Sequence, residues 1–258
     1  LARLGINIVL ISRNLGKLNA VASEIGSTFG VATKIIAVDF TEGPSVYPAI
    51  ERGLEGLEIG TLVNNVGIWY PYVDYLTDLP DARKHSQDMI FCNVLPVTFL
   101  THMILPGMVE RKRGVIINVG TLQSALPVAF LSMYTATKAF VERFSESLSM
   151  EYKRHGVIIQ VVLPGYVATK MSRVSNPSLM TPSPTKYVQQ ALKTVGIESR
   201  TAVYIPHRMV LKGFEWSFKF FPFIICNIFY QRYVTMRKIS KQRREAENMN
   251  QHQPLTSA

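Results

Sequence analysis

The stretch Met133-Tyr-Thr-Ala-Thr-Lys-Ala-Phe-Val-Glu-Arg-Phe144 decides the fold and the chemistry expected of this chain. Within it, Tyr134 and Lys138 are four residues apart, so a helix would place both side chains on one face. A free tyrosine has a pKa near ~10, and a nearby positive charge favours its phenolate form. The pair therefore indicates proton transfer, although an ordinary amphipathic helix can have the same spacing by chance.

Apolar runs on both sides of this helix extend the argument. Val115–Val119 is a predicted strand followed by Gly120 and Thr121, and Val157–Leu163 is a second, followed by a Pro-Gly pair. A strand, a polar loop, a helix and a strand make a βαβ unit, in which ligands bind beyond the carboxyl ends of the strands. We therefore expect Thr121 to lie with the tyrosine and the lysine at that edge of the sheet.

Short apolar runs alternate with longer stretches of helical periodicity through most of the chain. Ile90–Met108 and Tyr134–Tyr152 are the two longest predicted helices. The pattern predicts one α/β domain with a Rossmann-like, doubly wound parallel sheet. The predicted strands are Asn7–Ile11, Lys34–Val38, Thr61–Asn64, Val115–Val119, Val157–Leu163 and Ala202–Ile205.

Three further motifs occur in the order that one protein family shows. Asn64-Asn65-Val66-Gly67 follows a strand, Asn93 lies in a predicted helix, and Pro164-Gly165-Tyr166-Val167-Ala168-Thr169 follows another strand. With the tyrosine–lysine pair, these elements resemble the short-chain dehydrogenase/reductase family over residues 1 to about 206. The long hydrophobic C-terminal extension resembles the membrane-associated branch. That branch holds 17-beta-hydroxysteroid dehydrogenase type 3 and the very-long-chain 3-oxoacyl-CoA reductases.

The resemblance implies catalytic roles for four residues. Tyr134 would donate its proton to a substrate carbonyl oxygen, and Lys138 would bind the nicotinamide ribose and lower the tyrosine pKa. Asn93 would hold a water molecule, and Thr121, where the family usually has serine, would orient the carbonyl. Because the threonine methyl restricts its rotamers, reduced activity is expected. Ser124 is a less well-placed substitute.

The end of the first predicted strand indicates which nicotinamide cofactor is used. An acidic residue there would bind the ribose hydroxyls of NAD(H), whereas Ser12 and Arg13 suit the 2′-phosphate of NADP(H). A solvated arginine at a strand end is the alternative. Asp39 would contact the adenine, or would cap a helix before Thr41. The resemblance adds to the cofactor-binding set Asn65, Gly67, Tyr134, Lys138, Pro164, Gly165, Val167 and Thr169.

The sequence has no glycine-rich turn of the kind that cradles the pyrophosphate in dinucleotide-binding sheets. Residues 1–5 resemble the end of the helix that would follow such a turn, and residues 6–11 resemble the family's second strand. In the family's strand order, 3-2-1-4-5-6-7, the first strand lies at the centre. We therefore expect a sheet split at its centre and a sequence truncated at its N-terminus. The resemblance extends this expectation to a preceding membrane segment.

The composition of the chain limits the kinds of partner that it is expected to bind. The chain has 258 residues, enough for one α/β core, and a formal net charge of +10. The positive residues do not alternate with aromatic ones on a helix, which disfavours nucleic acid, and they cluster beside an apolar segment, which favours an anionic membrane surface. The two cysteines and five histidines show no metal-ligand spacing, so no metal site is expected. The basic cluster comprises Arg232, Arg237, Lys238, Lys241, Arg243 and Arg244.

The predicted association with a membrane rests on the C-terminal part of the chain. Phe220–Gln231 has no charged residue, but it is shorter than the ~20 residues of a spanning helix and Pro222 interrupts it. We expect residues 207–236 to form an interfacial helix or a substrate lid, with a core helix as the alternative. The aromatic residues expected at headgroup depth are Trp216, Tyr230 and Tyr233. Residues 237–258 are expected to be disordered, and residence at the endoplasmic reticulum membrane follows from the resemblance alone.

Two functions of different classes remain open. The first is an NADP(H)-dependent oxidoreductase that interconverts a ketone and a secondary alcohol on a large apolar substrate, either a 17-ketosteroid or a long-chain 3-oxoacyl-CoA. The second is a catalytically silent, membrane-docked scaffold of the same fold. Asn93, Tyr134 and Lys138 favour catalysis, whereas Thr121 and the absence of the glycine-rich turn favour silence. Family members commonly pair through the helices that hold Asn93 and Tyr134, so the expected partners include a second copy.

Overall fold

Parallel strands form two separate sheets in the computed structural model, which describes the backbone of residues 1–251 and the side chains of residues 1–245. β1 (Ile8–Ser12) pairs with β2 (Thr33–Ala37). The other described strands pair in chain order: β3 (Thr61–Asn64), β4 (Gly114–Val119), β5 (Val157–Val162) and β6 (Arg200–Thr201). The split sheet that the sequence predicts is confirmed within the described residues.

Helices flank both sheets, which confirms the predicted α/β, Rossmann-like architecture. They are α1 (Leu15–Phe29), α2 (Tyr47–Leu54), α3 (Ala82–Asn93), α4 (Leu95–Glu110), α5 (Ser132–Tyr152), α6 (Pro184–Lys193), α7 (Ile205–Phe220) and α8 (Pro222–Gln251). Local sequence sets several ends. Asn14 caps α1 by accepting a hydrogen bond from the Lys17 amide at 2.9 Å, and Gly30 ends it in the left-handed conformation.

Two element predictions were wrong. The single helix predicted over Ile90–Met108 is two helices that meet at Val94, because Pro96 has no amide hydrogen to donate in the next turn. The strand predicted over Ala202–Ile205 is displaced, since β6 ends at Thr201 and α7 begins at Ile205. Val203 adopts a φ of +53°, which a strand cannot accommodate.

One hydrophobic core joins the two sheets. Ile36 of β2 belongs to the same buried cluster as Ile116 of β4 and Ile159 of β5, and Met108 of α4 completes its centre. Ile116 and Met108 are fully buried. Each such side chain stabilises the fold by about 1.5–3 kcal/mol through burial. This shared core holds the two sheets in one unit.

The C-terminal helix α8 folds back over the domain. Its Tyr233 is buried in a second hydrophobic cluster together with Tyr134 and Leu131. Further along, the Ser240 hydroxyl accepts a hydrogen bond from the Val73 amide at 2.9 Å. The disorder predicted from residue 237 is therefore wrong as far as Gln251, because an anchored helix extends at little cost. The rest of that prediction, for residues 252–258, lies outside the described residues.

Within the described residues, the helical stretch Ala82–Glu110 is the one long and apolar enough to cross a membrane. Half of its most apolar window is buried inside the protein. A core helix of a soluble protein has the same properties, so this stretch is weak evidence for a membrane span.

Candidate active site

The four side chains predicted to be catalytic are all buried and come from three separate parts of the fold. Asn93 ends α3, Thr121 follows β4, and Tyr134 and Lys138 lie one turn apart on α5. Thr121, Tyr134 and Lys138 lie at the carboxyl edge of the four-stranded sheet, where the βαβ pattern predicts them, and Asn93 approaches Lys138 beside Gly67. Their roles in a reaction remain predictions.

Asn93 holds the loop that follows β3. Its Oδ1 accepts a hydrogen bond from the Ile68 amide at 2.7 Å, and its Nδ2 donates to the Ile68 carbonyl at 3.0 Å and to Thr137 Oγ1 at 3.1 Å. These three bonds fix the orientation of the amide. The sequence predicted Asn93 as a water ligand and did not reveal this backbone contact.

Gly67 allows Asn93 and Lys138 to approach the same point of the chain. A Cβ atom added to Gly67 would lie 3.3 Å from Asn93 Oδ1 and 3.3 Å from Lys138 Nζ, tighter than most real Cβ contacts. Lys138 Nζ donates to the Val119 carbonyl at 2.9 Å, and burial lowers its pKa to about 8. The ammonium has two further N–H groups that can bind ribose hydroxyls. This arrangement fits a nicotinamide nucleotide beside Gly67.

The phenol of Tyr134 lies in an apolar environment. Burial raises its pKa, while a hydrogen bond with the Thr121 side chain acts in the opposite direction. The indole of Trp69 packs edge-on against the ring, with 5.8 Å between centroids. Desolvation of the phenolate is the largest influence on the Tyr134 pKa, and a lowering of that pKa by Lys138 stays a prediction. Tyr134 is therefore protonated at neutral pH.

Thr121 is fixed by the backbone on both sides. Its hydroxyl accepts from the Gln123 amide at 3.4 Å and points to the Pro164 carbonyl at 3.5 Å. Ser124 cannot readily replace it, because the Ser124 hydroxyl is directed to the Thr121 carbonyl and to the carboxylate of buried Glu142. That carboxylate is itself paired with Arg200 at 2.7 Å.

The loop from Pro164 to Thr169 starts beside Thr121 and then turns outward. The amide of Gly165 donates to His207 Nδ1 at 3.2 Å, a partner that no motif indicated. Val167 packs partly buried against a small cluster that includes Tyr187. Thr169, which is exposed, bonds with Ser172 in a turn.

The residues predicted to select the cofactor lie at the carboxyl end of the two-stranded sheet. Ser12 and Arg13 are exposed, and Arg13 Nη1 is 3.6 Å from Asp39 Oδ2. Asp39 caps a short helix by accepting from the Thr41 amide at 3.0 Å, which lowers its pKa and agrees with the capping alternative. Asn65, directly after β3, is exposed.

Helix α8 packs against the part of the domain that contains Thr121 and Tyr134. The Tyr233 hydroxyl accepts from Gln123 Nε2 at 2.7 Å, and the side chain is buried. Its predicted place at headgroup depth was therefore wrong, because its ring completes the protein core. Arg237, predicted to face a membrane, instead pairs with Asp74 and Asp78.

The comparisons with known proteins agree with this geometry. The family model described as short chain dehydrogenase matches residues 1–179. The chain belongs to the short-chain dehydrogenase family. Members of this family include relatives named very-long-chain 3-oxoacyl-CoA reductase. The chain is 47% identical to that of Anas platyrhynchos over 86% of this chain and 70% of the relative, and 48% identical to that of Homo sapiens over 81% and 67%.

Solved structures of short-chain dehydrogenases have the same fold. A structure of a 7beta-hydroxysteroid dehydrogenase gives a TM-score of 0.75 at 25% identity, covering 83% of this chain and 84% of that one. A short-chain dehydrogenase from Sphingobium yanoikuyae, in complex with NADPH, gives 0.67 at 28% identity and covers 75% of each chain. The predicted family and fold are thus confirmed, and the chain is an oxidoreductase of this family that uses a nicotinamide cofactor.

Proposed function

We propose that this oxidoreductase uses NADP(H) to reduce the 3-ketone of a long-chain 3-oxoacyl-CoA to a secondary alcohol. The observation that supports this most is that Thr121 lies within hydrogen-bonding reach of Tyr134, while Lys138 and Asn93 meet beside Gly67. Identities of 47–49% to very-long-chain 3-oxoacyl-CoA reductases favour the acyl substrate over a 17-ketosteroid.

Tyr134 is the proton donor in this proposal. When bound, NADPH supplies the hydride that reduces the ketone carbon. Because burial raises its pKa, Tyr134 holds its proton at neutral pH and can donate it to the ketone oxygen. Thr121, within hydrogen-bonding reach of the phenol, orients that oxygen.

Lys138 stabilises the tyrosinate that is left. Its Nζ is held at the end of β4 by the Val119 carbonyl, so its charge lies at a fixed place on the same helix face as the phenol. Its remaining N–H groups bind the nicotinamide ribose, with Gly67 leaving room beside them.

The far end of the cofactor binds at β1 in this proposal. Arg13 is exposed and its guanidinium suits a 2′-phosphate, while the Ser12 hydroxyl adds a donor. Asp39 holds Arg13 nearby. The loop from Pro164 through Val167 to Thr169 would hold the nicotinamide side of the cofactor, and Asn65 would contribute to cofactor binding at the end of β3.

The corner between α7 and α8 supports a place at a membrane surface, for which the family resemblance implies the endoplasmic reticulum. Large apolar side chains on this corner face solvent, and Phe223 is 89% exposed. Such a patch beside basic residues fits insertion at the interface of an anionic leaflet. The exposed members are Trp216, Phe220, Phe221, Phe223, Ile224 and Ile228.

The function is tested by following NADPH oxidation with the protein expressed from its complete transcript. A long-chain 3-oxoacyl-CoA, a 17-ketosteroid and a short water-soluble ketone are offered in separate arms. We expect turnover with the acyl-CoA and at least about tenfold less with the others. If NADPH binds but no arm shows turnover, the silent scaffold is supported instead. The methyl group of Thr121 favours that alternative.

A further inference from the structure

The imidazole of His207, in the first turn of α7, lies between two loops beside the candidate active site. Its Nδ1 accepts from the Gly165 amide at 3.2 Å, and its Nε2 is 3.0 Å from the Met180 carbonyl oxygen. Because a carbonyl only accepts, Nε2 must be protonated and Nδ1 must be bare. The side chain is 2% exposed, and burial lowers its pKa, which favours this neutral form. His207 therefore bridges the two loops with both ring nitrogens.

The first loop is in direct contact with Thr121. The Pro164 carbonyl accepts from the Leu122 amide at 2.9 Å and is 3.5 Å from Thr121 Oγ1. A Cβ atom on Gly165 would lie 2.9 Å from the His207 ring, so this close approach requires glycine. A displacement of His207 would thus reach Thr121 through one peptide unit.

The second loop, residues 171–183, lies between the Pro164–Thr169 segment and α6. Besides His207, it is held by Tyr204, whose hydroxyl donates to the Leu179 carbonyl at 3.0 Å. The Tyr204 ring packs edge-on against the imidazole, with 5.2 Å between centroids. Two side chains at the start of α7 therefore bind two consecutive carbonyl groups of this loop.

Backbone strain sets the direction of this part of α7. Val203, a buried β-branched residue, has a φ of +53°, which is rare for its type and persists only where surrounding contacts enforce it. Its amide donates to Thr201 Oγ1 at 3.1 Å. The strained turn connects β6 directly to Tyr204 and His207, which bind the loop 171–183.

We propose that His207 is a positioning residue that couples the loop 171–183 to the Gly165 turn, so that Thr121 is aligned while His207 holds both. The catalytic part of this inference rests on the proposed function. The coupling itself is a property of the protein without any ligand. The loop follows the Pro164–Thr169 segment, which the proposed function assigns to the nicotinamide side of the site.

Two substitutions of His207 each remove one of its two hydrogen bonds and keep the other. In His207→Asn the amide oxygen can replace Nδ1 and keep the bond to Gly165, whereas the bond to Met180 is lost. In His207→Gln the amide nitrogen can replace Nε2 and keep the bond to Met180, whereas the bond to Gly165 is lost. Tyr204→Phe removes only the second tether, and His102→Asn, at an exposed position of α4, is the control.

Hydrogen exchange of the ligand-free protein is the first readout. We expect exchange about tenfold faster in residues 171–181 for His207→Asn, and about tenfold faster near Gly165 for His207→Gln, each with the other region unchanged. His207→Ala should release both regions. Equal exchange in folded His207→Ala and wild type would overturn the coupling. Identical exchange patterns in His207→Asn and His207→Gln would also overturn it, because a side chain that only fills space would not bind the two loops through separate atoms.

Steady-state kinetics give the second readout. We expect His207→Asn to raise the KM for the ketone with kcat little changed, and His207→Gln to lower kcat about tenfold because Thr121 is misaligned. If wild type reduces no ketone while the exchange patterns hold, the proposed function fails and the coupling stands. If wild type is active and both variants change KM and kcat alike, the positioning role is wrong.

Discussion

The two sheets of this protein end in edges of very different character. At the edge of the four-stranded sheet, Asn93, Thr121, Tyr134 and Lys138 are buried, and each is held by backbone or side-chain hydrogen bonds. At the edge of β1, Ser12 and Arg13 are exposed, and Arg13 contacts the protein through one pair with Asp39 at 3.6 Å. The first edge is pre-organised, whereas the second is adaptable.

This difference assigns separate tasks to the two edges. Proton transfer requires groups held within a few tenths of an ångström, and burial at the first edge provides that and shifts their pKa values. Recognition of a phosphate by an exposed arginine tolerates movement and depends on charge. Substitutions at the first edge should therefore change rate, and those at the second should change cofactor affinity.

The largest expected effect is that of Tyr134→Phe. Loss of the proton donor should lower kcat for ketone reduction by about 10²–10⁴, because no other hydroxyl lies where the phenol does. NADPH binding, followed by its fluorescence, should persist, because Lys138 and Arg13 remain. Tyr152→Phe, at the end of the same helix, is the control, and an active Tyr134→Phe protein would remove the basis for the assignment.

The next effect is on stability rather than rate. The Lys138 pKa is about 8 in the folded protein and near 10.5 ordinarily, a difference worth about 3 kcal/mol. Between those pH values the unfolded chain binds more protons than the folded one, so wild-type stability rises with pH across that window. Relative to Lys138→Met, urea unfolding should show wild type gaining about 3 kcal/mol from pH 7 to 10.5.

The stability curves of wild type and Lys138→Met can also contradict this prediction. Lys138→Met has no proton to gain or lose, and all other titrating groups are common to both proteins. Parallel stability curves would mean that Lys138 is not desolvated, and the contrast between a buried and an exposed edge would lose its main electrostatic support.

At the exposed edge, Arg13→Ala should raise the KM for NADPH by about 10- to 100-fold and leave the KM for NADH nearly unchanged. The reason is that a charge-assisted bond to the 2′-phosphate contributes about 1.5–3 kcal/mol. Arg52→Ala, at the end of α2, removes an equivalent exposed charge elsewhere. An equal loss for both cofactors would show that Arg13 does not select between them.

The smallest effect belongs to Thr121→Ser. Serine keeps the hydroxyl and removes the methyl, so kcat should rise by less than about tenfold, in line with ~0.5–1.5 kcal/mol for a restricted rotamer. Thr121→Ala, which removes the hydroxyl, should lower kcat. If serine lowers the rate as much as alanine does, the hydroxyl is not what positions the carbonyl.

Much of the fold and the reacting residues could be predicted because their signals are local. Alternating apolar runs give the strands, and fixed spacings place Tyr134, Lys138 and Gly67 at one edge. His207 and Tyr233 could not be predicted, because each meets its partner only after folding. Gly165 is 42 residues from His207, and Gln123 is 110 residues from Tyr233. The helical tail was missed because its polar composition hides the anchors at Arg237 and Ser240.

The most direct test of the central claim is isotope transfer. The protein is incubated with NADPH that has deuterium at both C4 positions of the nicotinamide and with a long-chain 3-oxoacyl-CoA, and the product is analysed by mass spectrometry. We predict a 3-hydroxyacyl-CoA with one deuterium at C3, formed at least about 100-fold faster by wild type than by Tyr134→Phe. A product without deuterium, or labelled product from both proteins at equal rates, would contradict the account.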